Sequence, residues 1–366
     1  MTMNILFVLG TRPEIIKMSP IIHALERSAH DFTILHTGQH YSYAMDQVFF
    51  RQLDLPKPHY NLGVGPGTHA EQTGKMLIGI EKILLDEQPD VVLVEGDTNS
   101  SLAGAMAAVK LALKVGHVEA GLRSYDRGMP EEINRITVDH CSDLLFAPTQ
   151  KSMQTLVGEG IPNDKIFVTG NTIVDATYFN LELSKRKENI LLNLGLTKQN
   201  YLLATIHRQE NVDNAERFRD ILKGLKIVRD TFGYDIVYPI HPRALKQAEV
   251  FNIKMDGLRV IDPQDYLSFL QLESNARLVL TDSGGVQEET CIMKVPSVTL
   301  RDNTERLETL EVGSNVLSGT NPNEIVKKTE KMLRRRRDWI NPFGNGRAGE
   351  AIVEVLTSIS GYPLEK

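Results

Sequence analysis

The chain alternates short apolar runs with longer segments whose apolar residues recur at helical spacing. This alternation is typical of β-α-β units and of a parallel sheet that is buried on both faces. Six runs in the first half predict strands at 5–9, 32–36, 91–95, 115–119, 144–147 and 167–169. Five runs in the second half predict strands at 201–206, 236–240, 258–261, 278–281 and 297–300. The pattern therefore predicts an α/β protein with two doubly wound parallel-sheet domains.

The boundary between these domains is predicted in a long helical stretch with a charged end, near residues 171–195. No repeat of constant period is visible, which excludes solenoid architectures. Ligands of open α/β sheets bind beyond the carboxyl ends of the strands, so two such domains facing each other would form a site in a cleft. The residues of interest are therefore expected directly after strands.

Composition and charge narrow the class of protein. The 366 residues include 41 Lys and Arg against 47 Asp and Glu, a formal net charge of -6, so neither nucleic acid nor a membrane surface is predicted as a partner. No secretory signal precedes the first strand, and no run approaches the about 20 apolar residues that span a bilayer, so we predict a cytoplasmic protein. Cys141 and Cys291 have neither paired nor metal-ligand spacing.

The first predicted strand ends in the sequence Gly-Thr-Arg-Pro-Glu at residues 10–14, where a helix is predicted to begin. Pro13 suits the start of a helix, because the amide hydrogen that it lacks would be unpaired there. Backbone N–H groups and the helix dipole favour an anion at this point, and Arg12 and Lys17 add positive charge. The turn is a candidate phosphate site, although a plain strand-to-helix turn with a surface arginine explains the same residues.

A second strand-to-helix turn, within residues 278–289, has a stronger phosphate pattern. Ser283 would cap the helix, and Gly284 and Gly285 would let the backbone approach a diphosphate. Glu289 lies roughly 9 Å further along the helix at about 1.5 Å per residue, which suits hydrogen bonds from ribose hydroxyls. The alternative is an ordinary N-cap followed by acidic residues that favour the helix dipole.

Carboxylates that follow apolar strands are candidates for acid/base work. Asp97 follows the third predicted strand, although it would equally serve as a helix N-cap. His117 and Glu119 lie two residues apart, on the same side of a strand end, where an unpaired charge is unfavourable unless it has a role. The adjacent Glu131 and Glu132 cannot face the same way, so one is expected to enter the site and the other to stay in solvent.

Two histidines follow strands of the second domain. By its intrinsic pKa range, His207 is the best single acid/base candidate. His241 would bind phosphate or a uracil-like ring, although a lone histidine at a strand end is more often a structural donor. The arginines at 334–337 are interpreted as a solvated helix face or a subunit contact, because the chain as a whole is acidic.

Together these motifs resemble one family closely, the UDP-N-acetylglucosamine 2-epimerases of the non-hydrolysing type. The matching segments cover nearly the whole chain in order: 10–14, 37–40, 96–98, 117–123, 130–135, 205–211, 282–289 and 301–306. The resemblance implies a fold like that of the B-type glycosyltransferases, with a Rossmann-like domain at 1–175 and a UDP-binding one at 176–345. It also implies that segment 346–366 crosses back to the first domain, and that the protein is a homodimer without metal or nicotinamide cofactor.

The resemblance implies particular site residues. Those that match the family's nucleotide-sugar contacts are Arg12, Lys17, Gln264, Phe269, Ser283, Gly284, Gly285, Glu289 and Arg306. Phe269 would pack near the uracil. Asp97, Glu119 and Glu131 match the family's carboxylates, and with His207 they are the predicted catalytic residues, while His241 is added to the substrate contacts.

The reaction that the resemblance implies is reversible epimerisation at C2 of UDP-N-acetylglucosamine, which supplies N-acetylmannosamine-type precursors for cell-surface polysaccharide. UDP would leave C1 to give 2-acetamidoglucal and then add back as a proton arrives on the opposite face of C2. Such a route needs a base on one face and an acid on the other. The sequence leaves open which carboxylate takes which part.

Other readings of the same residues stay open. An epimerase of this type could act on another UDP-sugar, such as a 2,3-diacetamido uronic acid derivative, and a hydrolysing epimerase would release UDP and free N-acetylmannosamine. A glycosyltransferase would share the fold, and a nucleotide-sugar sensor would bind without turnover. A metal-dependent hydrolase would use Asp97, His117, Glu119 and His207.

Activation by substrate is also open. Bacterial family members often bind a second UDP-N-acetylglucosamine near a Gly-Gln-His loop. Gln39 and His40 match this loop, whereas residues 63–73 differ from the bacterial pattern.

Overall fold

The computed structural model of the chain describes residues 2–39 and 43–359. The chain divides into two compact units, and each has its own parallel sheet. Unit 1 comprises Met1–Ala176 and Phe343–Lys366, and unit 2 comprises Thr177–Pro342. The limits expected from the sequence are residues 175 and 345.

The described residues include thirteen strands. They are β1 (Asn4–Leu9), β2 (Asp31–His36), β3 (Tyr60–Asn61), β4 (Val91–Glu95), β5 (Lys114–Val118), β6 (Leu144–Ala147), β7 (Ile166–Val168), β8 (Tyr201–Thr205), β9 (Asp235–Pro239), β10 (Arg259–Ile261), β11 (Leu278–Thr281), β12 (Ser297–Thr299) and β13 (Asn315–Leu317). The strand order is β3-β2-β1-β4-β5-β6-β7 in unit 1 and β10-β9-β8-β11-β12-β13 in unit 2. Each sheet is wound outward in both directions from its first strand, so the predicted fold class is confirmed.

All eleven predicted strands are present, and their ends agree with the predicted ones to within one residue. The apolar runs of the sequence did not predict β3 and β13. They have two and three residues and lie at the outer edges of the sheets, where a strand needs no long apolar run.

Helices connect the strands. Within the described ranges they are α1 (Arg12–Leu25), α2 (Tyr43–Gln52), α3 (His69–Glu87), α4 (Asn99–Lys110), α5 (Pro130–Cys141), α6 (Gln150–Gly158), α7 (Thr172–Ser184), α8 (Ile190–Asn193), α9 (Gln209–Val212), α10 (Ala215–Phe232), α11 (Pro242–Val250), α12 (Tyr266–Asn275), α13 (Gly284–Ile292), α14 (Leu307–Glu311), α15 (Pro322–Leu333) and α16 (Ala348–Ile359). In this part of the chain no helix combines the length and the apolar character that a membrane crossing requires.

Both faces of each sheet are covered, as the apolar strands require. In β8, Leu202 and Ala204 belong to one buried apolar cluster, whereas Tyr201 and Leu203 belong to another. Alternate residues of a strand point to opposite faces, so the two clusters lie on opposite sides of the unit 2 sheet. A continuous apolar run is the sequence pattern of such a strand.

Close packing of α4 on the unit 1 sheet depends on Gly104. A Cβ atom there would lie 2.9 Å from Val94 Cγ1 and 3.1 Å from Val8 Cβ, too close for any larger residue without movement. The close approach fixes the start of α4 at the carboxyl ends of β1 and β4. Candidate acid/base residues are found at this point.

The arginines at 334–337 follow the end of α15 rather than lining one of its faces. Arg335 Nε donates to the Gly313 carbonyl at 3.0 Å, and the Arg337 guanidinium donates to the Arg277 carbonyl at 2.9 Å. Two of the four arginines therefore satisfy backbone carbonyls within unit 2, so the interpretation as a solvated helix face is wrong for them.

Candidate functional site

The turn after β1 is held by Glu14, which is fully buried near the start of α1. One carboxylate oxygen accepts the backbone N–H of Gly10 at 3.0 Å, and the other accepts the hydroxyls of Thr98 at 2.7 Å and Ser101 at 3.0 Å. Burial raises the pKa of Glu14, and these hydrogen bonds oppose part of that shift. Glu14 therefore joins the turn after β1 to the turn after β4.

Arg12 is the first residue of α1, and Pro13 lies in the first turn of the helix, as predicted. Its guanidinium carbon lies over the ring of Phe49, 5.6 Å from the ring centroid. At this distance the ring face attracts the cation.

Lys17 lies between two carboxyl groups instead of in solvent. Its Nζ atom hydrogen-bonds to Glu119 and lies 3.3 Å from Glu95 Oε1, and all three side chains are less than one-tenth exposed. Asn171 Nδ2 donates to Glu119 at 3.3 Å. Burial and the neighbouring Glu119 raise the pKa of Glu95, against the opposing effect of Lys17. We call Lys17, Glu95 and Glu119 the Lys17 cluster; one ammonium there faces two carboxyl groups.

Glu119 begins a turn directly after β5, one residue beyond the end of that strand. Its φ angle is +67°, and the φ angle of Gly121 is +83°. A residue with a Cβ atom is uncommon at such angles and is held there by surrounding contacts. His117 lies within β5 itself, where both of its ring nitrogens face oxygens of the protein.

Asp97 is not a helix cap. The N-cap of α4 is Thr98, whose hydroxyl accepts the backbone N–H groups of Ser100 and Ser101. The Asp97 carboxylate hydrogen-bonds to the guanidinium of Arg135 and is one-quarter exposed. Asp97 is therefore a partly accessible carboxylate that an arginine of α5 holds in place.

The adjacent glutamates at the start of α5 point in different directions, but neither simply stays in solvent. Glu132 is buried and accepts the N–H and hydroxyl of Ser124 at 2.8 and 2.9 Å and the N–H of Tyr125 at 3.0 Å. Burial alone would raise the pKa of Glu132, but these hydrogen bonds and Arg135 outweigh it and lower the pKa. Glu131 is exposed. The inward glutamate is thus a structural anchor, and the outward one is the accessible acid.

Glu131 and Asp97 line the same cavity of unit 1, which has a volume of about 310 Å³. Most of the residues that line it are polar, and Gln39, Gln72 and Asn134 are among them. The cavity brings together two of the three carboxylates predicted for acid/base work. His40, the other residue of the predicted loop, lies outside the described residues.

In unit 2, the predicted phosphate turn follows β11 directly. Ser283 is the N-cap of α13, and its hydroxyl accepts the backbone N–H of Val286 at 3.5 Å. A Cβ atom on Gly284 would lie 3.1 Å from Glu305 Oε1, whereas Gly285 is exposed. The glycines thus leave the helix N-terminus accessible, and such an N-terminus favours anions.

His207 is oriented by Asp282. Its Nδ1 atom lies 3.2 Å from Asp282 Oδ1, and the backbone N–H groups of His207 and Arg208 donate to the same carboxylate at 3.0–3.1 Å. Asp282 is fully buried, yet the hydrogen bonds from His207, Arg208 and Asn211 lower its pKa despite that burial. With the proton assigned to Nδ1 from this contact, the imidazole keeps Nε2 for a ligand, and 37% of the side chain is exposed.

His241 has a structural contact of its own. It is the N-cap of α11, and its Nδ1 atom accepts the backbone N–H of Arg243 at 3.1 Å. The ring is exposed, and its centroid lies 5.8 Å from that of His207. The structure therefore places His241 beside the acid/base candidate of unit 2.

Three arginines and two glutamates form a network next to the glycine turn. Arg208 and Arg301 donate to Glu305 at 3.0 and 2.9 Å, and Arg306 Nε lies 2.9 Å from Glu288 Oε1. Burial would raise the pKa of Glu305, but the three arginines lower it strongly. Glu210 also accepts from Arg301 Nε at 3.0 Å, so the three arginines face three glutamates in all. The residues that surround Arg306 were not predicted.

Glu289 belongs to a buried carboxyl pair. The hydroxyl of Tyr266 donates to Glu289 Oε1 at 2.8 Å, and Glu273 is the hydrogen-bonding neighbour on another side. In the described residues no N–H or O–H group donates to either Glu273 oxygen, and burial together with Glu289 raises the pKa of Glu273 well above its usual range. Burial and the carboxyl group of Glu289 therefore favour the neutral form of Glu273.

The other two residues predicted to contact the substrate, Gln264 and Phe269, lie before and on α12. Gln264 precedes α12, and its amide donates to the Asp262 carbonyl at 2.8 Å. Phe269, on α12, is partly exposed and packs against an apolar cluster that includes Leu203 and Leu272. A flat ring held in this way offers a face on which a base can stack.

A family model described as UDP-N-acetylglucosamine 2-epimerase matches residues 23–357. The chain belongs to this family. A protein of Methanocaldococcus jannaschii named UDP-N-acetylglucosamine 2-epimerase is 56% identical over 362 residues, which cover 97% of this chain and 99% of that protein.

Solved structures in the UDP-N-acetylglucosamine 2-epimerase family have the same fold. The crystal structure of the M. jannaschii UDP-GlcNAc 2-epimerase in complex with UDP-GlcNAc and UDP matches with a TM-score of 0.90 and 55% identity, covering 97% of this chain and 100% of that one. A Pseudomonas aeruginosa protein named UDP-2,3-diacetamido-2,3-dideoxy-D-glucuronate 2-epimerase is 41% identical over 362 residues, covering 98% of this chain and 100% of that protein.

In this family member, the predicted residues fall into two groups. Unit 1 holds Arg12, Lys17, Asp97, Glu119 and Glu131, and unit 2 holds His207, His241, Gln264, Phe269, Ser283, Gly284, Gly285, Glu289 and Arg306. No group of three or more His, Cys, Asp or Glu side chains in the described ranges is arranged to hold a metal ion.

Several partners of these residues were missed. They are Glu14, Glu95, Arg135, Asn171, Arg208, Glu273, Asp282 and Glu305. Two of them carried a usable signal, because Glu95 and Asp282 stand at the carboxyl ends of fully apolar runs. An acid at that position is unfavourable unless it is paired.

Proposed function

We propose that the chain catalyses the reversible epimerisation of UDP-N-acetylglucosamine to UDP-N-acetylmannosamine by inverting C2. One observation carries the proposal: unit 1 holds carboxylates at strand ends, while unit 2 holds a glycine turn at a helix N-terminus beside a carboxylate-oriented histidine. Membership of the family across residues 23–357 supports it. Proton transfer and binding of a departing anion are the two things that this reaction requires.

Unit 2 binds UDP in this proposal. The diphosphate lies at the N-terminus of α13, where Ser283, Gly284 and Gly285 let backbone amides approach. Glu289 accepts hydrogen bonds from the ribose hydroxyls, and Phe269 packs near the uracil. Further proposed contacts are Arg12, Lys17, His241, Gln264 and Arg306.

The chemistry begins with the loss of UDP from C1. The C1–O bond breaks and its electron pair leaves with UDP, while the C2 proton passes to a base and the C1=C2 bond of 2-acetamidoglucal forms. In the return step UDP oxygen attacks C1, and an acid delivers a proton to the opposite face of C2. Asp97, Glu119 and Glu131 are the proposed carboxylates for these transfers.

No carbonyl adjoins C2 to acidify its proton, so the reaction begins with loss of UDP. The departing UDP therefore needs stabilisation. His207 is the group that we propose to assist the leaving oxygen, since Asp282 fixes its ring and leaves Nε2 accessible. The helix dipole of α13 acts on the same anion. Preorganised groups of this kind are often the largest single contribution to catalysis.

Three further expectations rest on the family resemblance. We propose a homodimer that works in the cytoplasm and supplies N-acetylmannosamine-type precursors for cell-surface polysaccharide. Sedimentation at working concentration tests the dimer, and a monomer there would contradict it.

A second substrate deserves a parallel assay. The P. aeruginosa relative named UDP-2,3-diacetamido-2,3-dideoxy-D-glucuronate 2-epimerase, at 41% identity, makes a UDP-diacetamido uronic acid the second candidate. The ratio of kcat/KM for the two UDP-sugars decides between them. We expect UDP-N-acetylglucosamine to be preferred.

The decisive test is an NMR time course of EDTA-treated protein with UDP-N-acetylglucosamine in D₂O and no added NAD. We expect UDP-N-acetylmannosamine with deuterium at C2. Accumulation of UDP and free N-acetylmannosamine would instead identify a hydrolysing enzyme. No reaction with either UDP-sugar, alone or with the other added as an activator, would overturn the proposal.

A further inference from the structure

The turns that carry Asp97 and Glu119 follow neighbouring strands, and neither turn is regular. Strand β4 pairs with β5, with Val94 opposite His117. Gly96, between β4 and Asp97, has a φ angle of +68°, close to the +67° of Glu119. Backbone in this region keeps its geometry only where surrounding contacts impose it. Contacts from other residues must therefore hold both turns.

His117 contacts the first turn. Its Nε2 atom lies 2.9 Å from the carbonyl oxygen of Gly96. A carbonyl oxygen only accepts hydrogen bonds, so Nε2 carries the proton and donates. The residue that follows this carbonyl is Asp97, and His117 therefore fixes the peptide from which Asp97 extends.

Asp139 connects the same histidine to the second turn. His117 Nδ1 lies 2.7 Å from Asp139 Oδ1, and Asp139 Oδ2 accepts the backbone N–H of Gly121 at 3.3 Å. Arg123 lies 2.7 Å from the same Oδ2 atom. Burial alone would raise the pKa of Asp139, but His117 and Arg123 outweigh it and lower the pKa. One buried carboxylate thus joins His117 to the turn that begins at Glu119.

His117 has no direct part in the chemistry, because both ring nitrogens are engaged and the residue is 1% exposed. We propose that His117 is a positioning residue, which with Asp139 sets the separation and orientation of Asp97 and Glu119. This inference rests on the proposed function, in which those carboxylates exchange protons with C2. A misplacement of about 1 Å at a reacting group can lower a rate by about 100-fold.

The test exploits the different reach of two amide side chains. In His117→Asn the amide lies about where Nδ1 was, so it can still reach Asp139 but not the Gly96 carbonyl. In His117→Gln the amide lies about where Nε2 was, so the contact with Gly96 is kept and the one with Asp139 is lost. The first substitution releases Asp97 directly, whereas Asp139 still holds Arg123 and Gly121 after the second.

We expect His117→Asn to lower kcat by at least about 100-fold and His117→Gln by about tenfold, with KM and the Kd of UDP changed less than about twofold. His30→Gln is the matched control. His30 is a buried histidine of the same unit, and its ring nitrogens contact the Met3 N–H at 3.2 Å and the Thr357 hydroxyl at 2.9 Å. We expect this control to keep the kcat of the wild type.

Kinetics, UDP calorimetry and melting curves on all three variants are compared with the wild type. If His117→Asn melts like the wild type and keeps its kcat, the proposal is wrong. It is equally wrong if His30→Gln loses as much kcat as His117→Asn at equal loss of Tm, since a general structural role would then suffice. Should His117→Asn fail to fold, Asp139→Asn takes its place, and an unchanged kcat in that folded variant rejects the proposal.

Failure of the proposed function gives a different result. Asp97→Asn and Glu119→Gln would then keep full activity, or the wild type would show no C2 exchange. If those two variants are inactive and His117→Asn is fully active, only the positioning role is lost.

Discussion

The two units have nearly the same sheet topology but carry different charged groups at the carboxyl ends of their strands. Unit 1 buries acids and holds them with few cations, as in the Lys17 cluster, where one ammonium faces Glu95 and Glu119. Unit 2 presents a helix N-terminus and three arginines next to Gly284. The fold therefore supplies the position of a site, while the residues at that position decide whether the site transfers protons or binds anions.

The units also differ in how they keep a reactive group accessible. His207 is 37% exposed over a fully buried Asp282, so the support is inside and the reacting ring is outside. In unit 1, Glu119 is itself buried, and Asp97 is exposed by only a quarter of its side chain. A group that helps an anion depart must meet that anion, and the exposed ring of His207 can do so.

The largest effect is expected from the unit 1 carboxylates. Asp97→Asn and Glu119→Gln keep size and hydrogen bonding but remove the proton acceptor, so each should lower kcat by about 100-fold or more. UDP affinity, measured by calorimetry, should change little because unit 2 binds UDP in our proposal. Wild-type rates in both variants would contradict the proposal that unit 1 transfers protons while unit 2 binds UDP.

The next effect is expected from the histidine of unit 2. His207→Ala should lower kcat by more than about tenfold, which corresponds to at least about 1.4 kcal/mol of barrier. Asp282→Asn keeps the shape of the support but not its charge, so a smaller loss of kcat is expected. A larger loss in Asp282→Asn than in His207→Ala would show that Asp282 acts on more than this ring.

Glycine 284 tests the anion site without changing a charge. In Gly284→Ala the new methyl group would lie 3.1 Å from Glu305 Oε1, so the Glu305 carboxylate must yield by a few tenths of an ångström beside the turn. We expect about tenfold weaker UDP binding, which is about 1.4 kcal/mol. Gly158→Ala, where nothing lies within 4 Å of the new group, is the control and should bind UDP normally. Equal affinity in both variants would argue against the turn as the diphosphate site.

The smallest effect is on stability and depends on pH. The folded-state pKa of Glu273 is raised, so it stabilises the fold fully below the unfolded pKa of about 4.3, and this stability is lost as pH rises towards the folded pKa. The Tm of Glu273→Gln relative to wild type should therefore rise between pH 4 and pH 8.

Glu132→Gln is the control of opposite sign. The pKa of Glu132 is lowered, so its contribution is present above the unfolded pKa and is lost as pH falls. The Tm of this variant relative to wild type should therefore fall as pH rises. The same sign in both variants would contradict the raised pKa of Glu273 and the lowered pKa of Glu132.

Much of the fold could be predicted because its signals are local. The apolar runs gave every strand except β3 and β13, whose few residues lie at sheet edges. The glycine turn before α13 and the acids after β4 and β5 were predicted at the right positions for the same reason. For Glu131 and Glu132 the sequence predicted different directions, because adjacent residues on a helix do not face the same way. It did not predict which of the two turns inward.

The sequence by itself determined the two parallel sheets, the strand ends at which polar residues gather, and the family, because periodicity and motif spacing are properties of neighbouring residues. The tertiary structure alone decided the partner of each charged group. Glu119 meets Lys17 across 102 residues of sequence, and His207 meets Asp282 across 75. The pKa of a buried acid depends on the groups that distant segments bring to it, and for that reason the pKa of Glu273 is raised while that of Glu132 is lowered.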